Sequence, residues 1–337
     1  MKKLLNVLVI VIIVISLFSI FVNAAKATNY QWKIQHLRPI GTAIDKDVNW
    51  LVDEIKERSN GRINITIYPA SQLGDYGVVQ ERVGMGDVEM QLACLSPAMN
   101  KKILIMVLPY IVSNWEEARK LYGTGNVVSN ILADLLEEQN IKLISEWPFS
   151  FGGIGLKKLP PEPADPDVPK KMKLRSPPIR SFELVTKALG YQATTIPFSD
   201  AFTALQTGIV DGIIGSGPEG YYSMFRDVIN YYLGSNDNFQ AWYFYMNLDL
   251  WNSLSEEDQQ LIQKLGLELE EKRFAVAEED EKYNLQRLRD YGIEVITFTD
   301  EELGRFAKKA REDIWPLLKE DIGPELVNEI LAETKNF

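Results

Sequence analysis

The chain has one cysteine and one histidine among 337 residues. Cys94 has no partner for an intrachain disulfide, and together with His36 it supplies too few soft ligands for a structural zinc site. Positive charge is also scarce. The 36 Lys and Arg residues face 47 Asp and Glu, a formal net charge of -11 with no segregated basic face, so a nucleic-acid backbone would be repelled. A catalytic set is missing too. The glycine-rich "GIIGSGPEG" (212–220) has no lysine after its glycines and is not a phosphate loop; Ile214 and Pro218 stand where a nucleophile elbow at Ser216 needs glycine. Carboxylate runs such as "EED" (278–280) and "DEE" (300–302) fall on charge-rich helical stretches and read as solvated faces. No catalytic residue, metal or cofactor is expected.

The N-terminus is the most legible segment. Lys2 and Lys3 precede an apolar run from Leu4 to Val22, and "VNAAKA" offers cleavage sites after Ala24 or Ala27. This pattern predicts a signal peptide over residues 1–24 and an exported protein, and no cysteine follows to make it a lipoprotein signal. The run is close to the roughly 20 residues that span a bilayer, so a retained anchor is the alternative. Beyond it, 46% hydrophobic and 25% charged residues suit a globular chain with two ordinary cores.

Strand and helix patterns alternate. Strands are expected at 30–37, 62–69 and 88–93, with helices at 43–61 and 76–86 between them, which is the βαβαβ patterning of an α/β fold with a largely parallel sheet. A second unit follows, with strands at 172–176, 192–197 and 208–215 and helices at 180–189 and 199–207, Ser199 serving as an N-cap and Gly208 as a stop. The proline-rich "LPPEPADPDVP" (159–169) reads as a domain linker or as a rigid surface loop. From Ser255 to about Tyr291 there is no proline and much Glu, Lys, Leu and Ala, giving one long or kinked helix able to lie across both units. In such folds ligands bind beyond the carboxyl ends of the strands.

Five segments, "GRINITIYPASQLGDYGVVQERVGMGDVEM" (61–90), "VLPYIVSN" (107–114), "KMKLRSP" (171–177), "KALGYQATTIPFSDAFTALQTGIVDG" (187–212) and "LSEEDQQLIQKLG" (254–266), resemble the solute-binding proteins of tripartite ATP-independent periplasmic (TRAP) transporters, the dicarboxylate-binding, DctP-like family. The resemblance implies a two-domain periplasmic-binding-protein fold, type II-like, with a central ligand cleft and a domain-spanning helix. It divides the chain into a first domain of 28–148 plus about 237–275 and a second of 149–236 plus about 276–337. It also implies a small organic acid as ligand and TRAP membrane permease subunits as partners, with membrane contact through the permease. A membrane-anchored ligand sensor and, further off, an exported enzyme are the alternative readings.

By the same resemblance, Arg175 clamps the ligand carboxylate, a role suited to a planar guanidinium fork. Phe198 lines the cleft, and Gln72 and Cys94 fall at loop positions that approach the ligand. His36 reads either as a hydrogen-bonding residue at a strand end or as one folded toward the site. Many relatives carry a second arginine about where Gly152 stands, so one charge is missing there. Ile213, Ile214 and Gly215 replace a polar ligand-reading segment, and Gly215 with Ser216 lets backbone or a bulky ligand approach. Trp147, Phe149, Phe151 and Trp242, with Phe239 and Tyr243, form an aromatic supply that is either sheet core or a lining for a ring-bearing ligand. The expected ligand is a monocarboxylate with an apolar or aromatic body.

Overall fold

The computed structural model describes residues 29–334; the expected leader lies outside them. The first sheet begins as the patterning requires. Strand β1 (Tyr30–His36), helix α1 (Ala43–Arg58), β2 (Ile63–Tyr68), helix α2 (Tyr76–Met85) and β3 (Met90–Ala93) place three parallel strands in the order β2-β1-β3. After two further helices, α3 (Trp115–Leu121) and α4 (Val127–Glu137), the long strand β4 (Ile141–Phe151) adds to this sheet through an antiparallel partner, β10 (Phe239–Asn247), completing the order β2-β1-β3-β10-β4.

A second, six-stranded sheet has the order β11-β9-β5-β8-β6-β7. It comprises β5 (Ile154–Leu156), β6 (Lys173–Ser176), β7 (Gln192–Thr195), β8 (Gly212–Ile214), β9 (Tyr231–Gly234) and β11 (Glu294–Thr297). Among its helices are α5 (Arg180–Ala188), α6 (Ala201–Gln206) and the short α7 (Gly217–Gly220), which runs into a wide turn at Tyr221–Phe225. Only Gly212–Ile214 of the expected strand 208–215 pairs. Ser199 does not cap α6: residues 198–200 form a tight turn and the cap position falls on Asp200, with no side-chain cap bond.

The chain passes between the sheets at residues 152–153, after β4, and at 235–238, before β10. The two passages are joined to each other, because Gly152 N donates to Asn238 O (2.8 Å) and Asn236 N donates to Gly152 O (3.1 Å). After α8 (Leu248–Ser253) comes α9 (Glu256–Tyr291), a single helix of 36 residues. At 1.5 Å per residue it is about 54 Å long. Its start is set by Ser255, whose side chain accepts from Asp258 N, with three acids in the first turn; its end is set by Gly292 at φ 99°. Glu270 and Glu281 of α9 accept from the β4 amides of Glu146 (2.7 Å) and Phe151 (3.1 Å), fastening the helix along the crossing strand.

The proline-rich stretch lies between β5 and β6 of the same sheet and is a loop inside that unit. Prolines leave its carbonyls without local donors, and the Lys170 ammonium supplies them, donating to Pro161, Glu162 and Asp165 carbonyls. The last helices, α10 (Asp300–Lys309), α11 (Trp315–Ile322) and α12 (Pro324–Thr334), return toward the first sheet. There α11 packs on residues 101–107, α12 packs on α3 and α4, and Trp315 Nε1 donates to Pro109 O at 2.9 Å. Among the described residues no helix is long and apolar enough to cross a membrane.

Candidate ligand-binding cleft

Between the two sheets lies a small cavity. Its walls are largely apolar, with Leu37, Met106, Ile179, Phe182, Phe198 and Trp242 among them, and its polar groups are few. Arg175 comes from the middle of β6, where pairing with Thr194 of β7 and Ile213 of β8 fixes its backbone. It is 1% exposed. Its Nε donates to Ile196 O at 2.8 Å, while Nη2 is buried with no partner. Burial lowers the guanidinium pKa to about 10, which still leaves it charged at neutral pH. An enclosed cation with an unused donor is a site for an anion.

A second guanidinium faces the same space. Arg38 follows β1 by two residues, is buried, and is likewise held down to about 10 by desolvation. Its Nη2 donates to Ser216 O at 2.6 Å, its Nη1 to Met224 Sδ at 3.6 Å, and its Cζ lies 5.0 Å from the Phe198 ring centre and 5.1 Å from that of Trp242. Arg175 Cζ is 5.7 Å from the same Phe198 ring. Among the described residues no carboxylate forms an ion pair with either arginine. Three other lining residues carry an unpaired polar atom: the Tyr76 hydroxyl, Asn238 Oδ1 and Gln240 Nε2.

The charge expected to be missing at Gly152 is absent there for a steric reason. A Cβ on Gly152 would collide with Asn238 Oδ1 and sit 2.9 Å from both oxygens of Asp237. Arg38 places a second cation in the cavity instead. Sequence reasoning passed over it, although a basic residue just beyond the carboxyl end of the first parallel strand is where α/β sheets bind ligands.

Of the other candidate residues, Phe198, Cys94, Gly215 and Trp242 line the cavity with Arg175. Gly215 has φ 90°, and a Cβ there would meet Phe182 at 3.1 Å and Pro177 at 3.3 Å. Ser216 is outside the lining, but its carbonyl holds Arg38. His36 is fully buried away from the cavity, with Nε2 3.2 Å from Asp45 Oδ1; desolvation lowers its pKa despite that carboxylate. Gln72 is exposed in the turn after Pro69. Trp147 donates to Asp47 Oδ2 at 3.0 Å and packs under Arg273 (4.6 Å), Phe149 backs Trp242 edge-on (4.7 Å), and Phe151 packs on Phe239 (5.3 Å). These three aromatics are buried core outside the lining. Among the described residues no group of His, Cys, Asp and Glu is arranged to hold a metal ion.

A family model described as DctP, bacterial extracellular solute-binding protein, family 7, matches residues 34–320. The chain is similar to the C4-dicarboxylate-binding periplasmic protein DctP of Rhodobacter capsulatus, 25% identical over 287 residues, covering 84% of each chain. Its fold is similar to that of a TRAP periplasmic solute binding protein from Desulfovibrio salexigens with bound orotic acid, with TM-score 0.83 and 23% identity over 91% of this chain and 99% of that one. It is also similar to the sugar acid binding protein DctPAm from Advenella mimigardefordensis in complex with galactonate, with TM-score 0.84 and 20% identity over 92% of this chain and 99% of that one.

Proposed function

We propose that this chain, which belongs to bacterial extracellular solute-binding protein family 7, captures a small organic acid with a flat apolar body outside the cytoplasm and delivers it to a TRAP membrane permease. The observation that carries this reading is Arg175: a buried, charged guanidinium with an unused Nη2 donor, facing an apolar cavity. A carboxylate satisfies that donor, and the planar guanidinium, fixed through Nε on Ile196 O, orients it in a way lysine would not reproduce.

The named relatives span a C4-dicarboxylate, orotic acid and galactonate, so the family supplies an acid group rather than one body. Here Phe182, Phe198 and Trp242 with Ile179 favour a flat or branched apolar body, and only Asn238, Gln240 and Tyr76 are placed to read further polar groups. A polyhydroxylated acid would leave most of its hydroxyls unpaired, each at a cost of roughly 1–3 kcal/mol. No chemical step is assigned to the cavity: the chain binds and releases. Its export rests on the N-terminal pattern from Lys2 to Ala27.

Thermal-shift screening of benzoate, orotate, succinate and galactonate tests the reading. Stabilisation by the ring-bearing acids supports it, and stabilisation by galactonate alone overturns the apolar-body assignment. Arg175→Ala should abolish the shift while the ligand-free protein stays folded. An unchanged shift removes Arg175 from the site.

A further inference from the structure

Arg38 differs from Arg175 in touching both halves of the molecule. It leaves β1 of the first sheet, whereas Ser216, Phe198 and Met224 belong to segments attached to the second. Five residues further on, the first amide of α1, Ala43 N, donates to Glu219 Oε1 at 2.8 Å. Both acceptors lie in the stretch Gly215–Gly220. The same stretch makes room for the arginine, because a Cβ on Gly220 would lie 2.5 Å from Arg38 Nη1 and 2.6 Å from Nη2.

We propose that residues 38–43 and the glycine-rich loop 215–220 form a two-point clasp across the cleft, and that Arg38 is a second ligand-binding residue that makes the clasp respond to an acid. The inference rests on reading the cavity as an acid site. Two guanidinium groups lie against one phenyl ring without an ion-paired carboxylate, so bringing Arg38 in buries a second cation with no carboxylate in contact. Glu219 is the acid that most favours the charged Arg38, but it acts from beyond ion-pair contact, with its Oε1 on Ala43 N. An anionic ligand removes the repulsion. The closed arrangement, with Arg38 on Ser216 and Ala43 on Glu219, is then favoured by the ligand's charge as well as by its contacts.

Cys94 provides the readout, because it is the one thiol in the chain and it lines the cavity. A bulky maleimide too large for the closed space labels it when the cleft opens. Glu219→Ala and Ala43→Pro each delete one end of the same hydrogen bond. Proline is tolerated at the first helical position, and Thr42 before it already has the extended angles φ -73° and ψ 167°. Ala43→Pro should label roughly tenfold faster, as expected for loss of a charge-assisted hydrogen bond; Glu219→Ala, which also removes the acid that most favours the charged Arg38, should label at least as fast, and the double variant no faster than Glu219→Ala alone. Unchanged rates, or rates that multiply in the double variant, overturn the clasp; circular dichroism and the ligand-free unfolding temperature confirm that the variants are folded. For Arg38, the acid among benzoate, orotate, succinate and galactonate that most stabilises the unaltered protein should slow its labelling. At saturation it should slow Arg38→Gln at least fivefold less. Equal slowing overturns the role of Arg38. If none of the four acids shifts the unaltered protein, the acid-site reading fails, while the labelling of Glu219→Ala and Ala43→Pro still decides the clasp.

Discussion

Gly220 has ordinary helical angles, φ -64° and ψ -41°, so nothing in its backbone requires glycine. On conformational grounds alone Gly220→Ala should stabilise the fold by about 0.5–1 kcal/mol. The obstacle is Arg38. The new methyl would stand 2.5 and 2.6 Å from its terminal nitrogens, whereas uncrowded contacts begin near 3.5 Å, so the guanidinium must retreat by roughly an ångström. The 2.6 Å bond to Ser216 O does not survive such a shift. A hydrogen bond to a charged group contributes about 1.5–3 kcal/mol, so acid affinity should fall roughly ten- to a hundredfold. The two effects have opposite signs and are measured separately, folding by ligand-free thermal unfolding and affinity by titration calorimetry with the best-stabilising acid. Affinity within twofold of the unaltered protein, at intact stability, would refute the reasoning. It would show that the acid does not depend on where Arg38 sits.

Two further predictions concern the frame. Gly152→Arg, which installs the arginine that the resemblance implies, should lower stability by about 1–3 kcal/mol in chemical denaturation, because its Cβ meets Asp237 and Asn238; an undiminished midpoint would show that the crossing yields. Glu146 is buried beside Glu270, and its pKa is pushed up from 4.5 to about 8, mainly by burial. Between those values the folded chain holds a proton that the unfolded chain has released, so stability falls as pH rises from about 5 to 8, by up to about 1.4 kcal/mol per pH unit for this one group. Glu281 and Asp237, both raised to about 7 by burial, act in the same direction. Glu146→Gln keeps the neutral form and should flatten that slope by about one proton in pH-dependent denaturation; an identical slope would mean that Glu146 is ionised in the fold.

Much of this architecture is legible in local patterns. The βαβαβ start and the two units follow from periodicity, and the long helix from a proline-free run rich in Glu, Lys, Leu and Ala, because those signals act within a few residues. Arg175 and Phe198 were placed by the motifs around them. Arg38 was not, since its burial depends on Ser216, 178 residues away, and on Phe198 and Trp242 closing over it. The aromatics of β4 and β10 could not be sorted from the sequence for a related reason. Simple alternation would point neighbouring residues to opposite faces, yet Gln240, Ala241 and Trp242 all line the cavity. The register between the two strands also shifts twice, each time with an extra residue on β4, Phe149 opposite Gln240–Ala241 and Ile144 opposite Phe244–Tyr245, and shifts of that kind leave no compositional trace.

The bonds between the two sheet-to-sheet passages bear on how the molecule spends its binding energy. If residues 152–153 and 235–238 were separate tethers, each would sample its own conformations in the open protein, and a ligand would have to order both. Bonded to each other through Gly152, Asn236 and Asn238, they flex as one ribbon. Coupled passages have fewer independent open conformations than separate ones, so less conformational entropy would be lost when the cleft shuts. A substitution that parts the ribbon far from the cavity would then weaken binding through the open ensemble alone, with every contact to the acid intact.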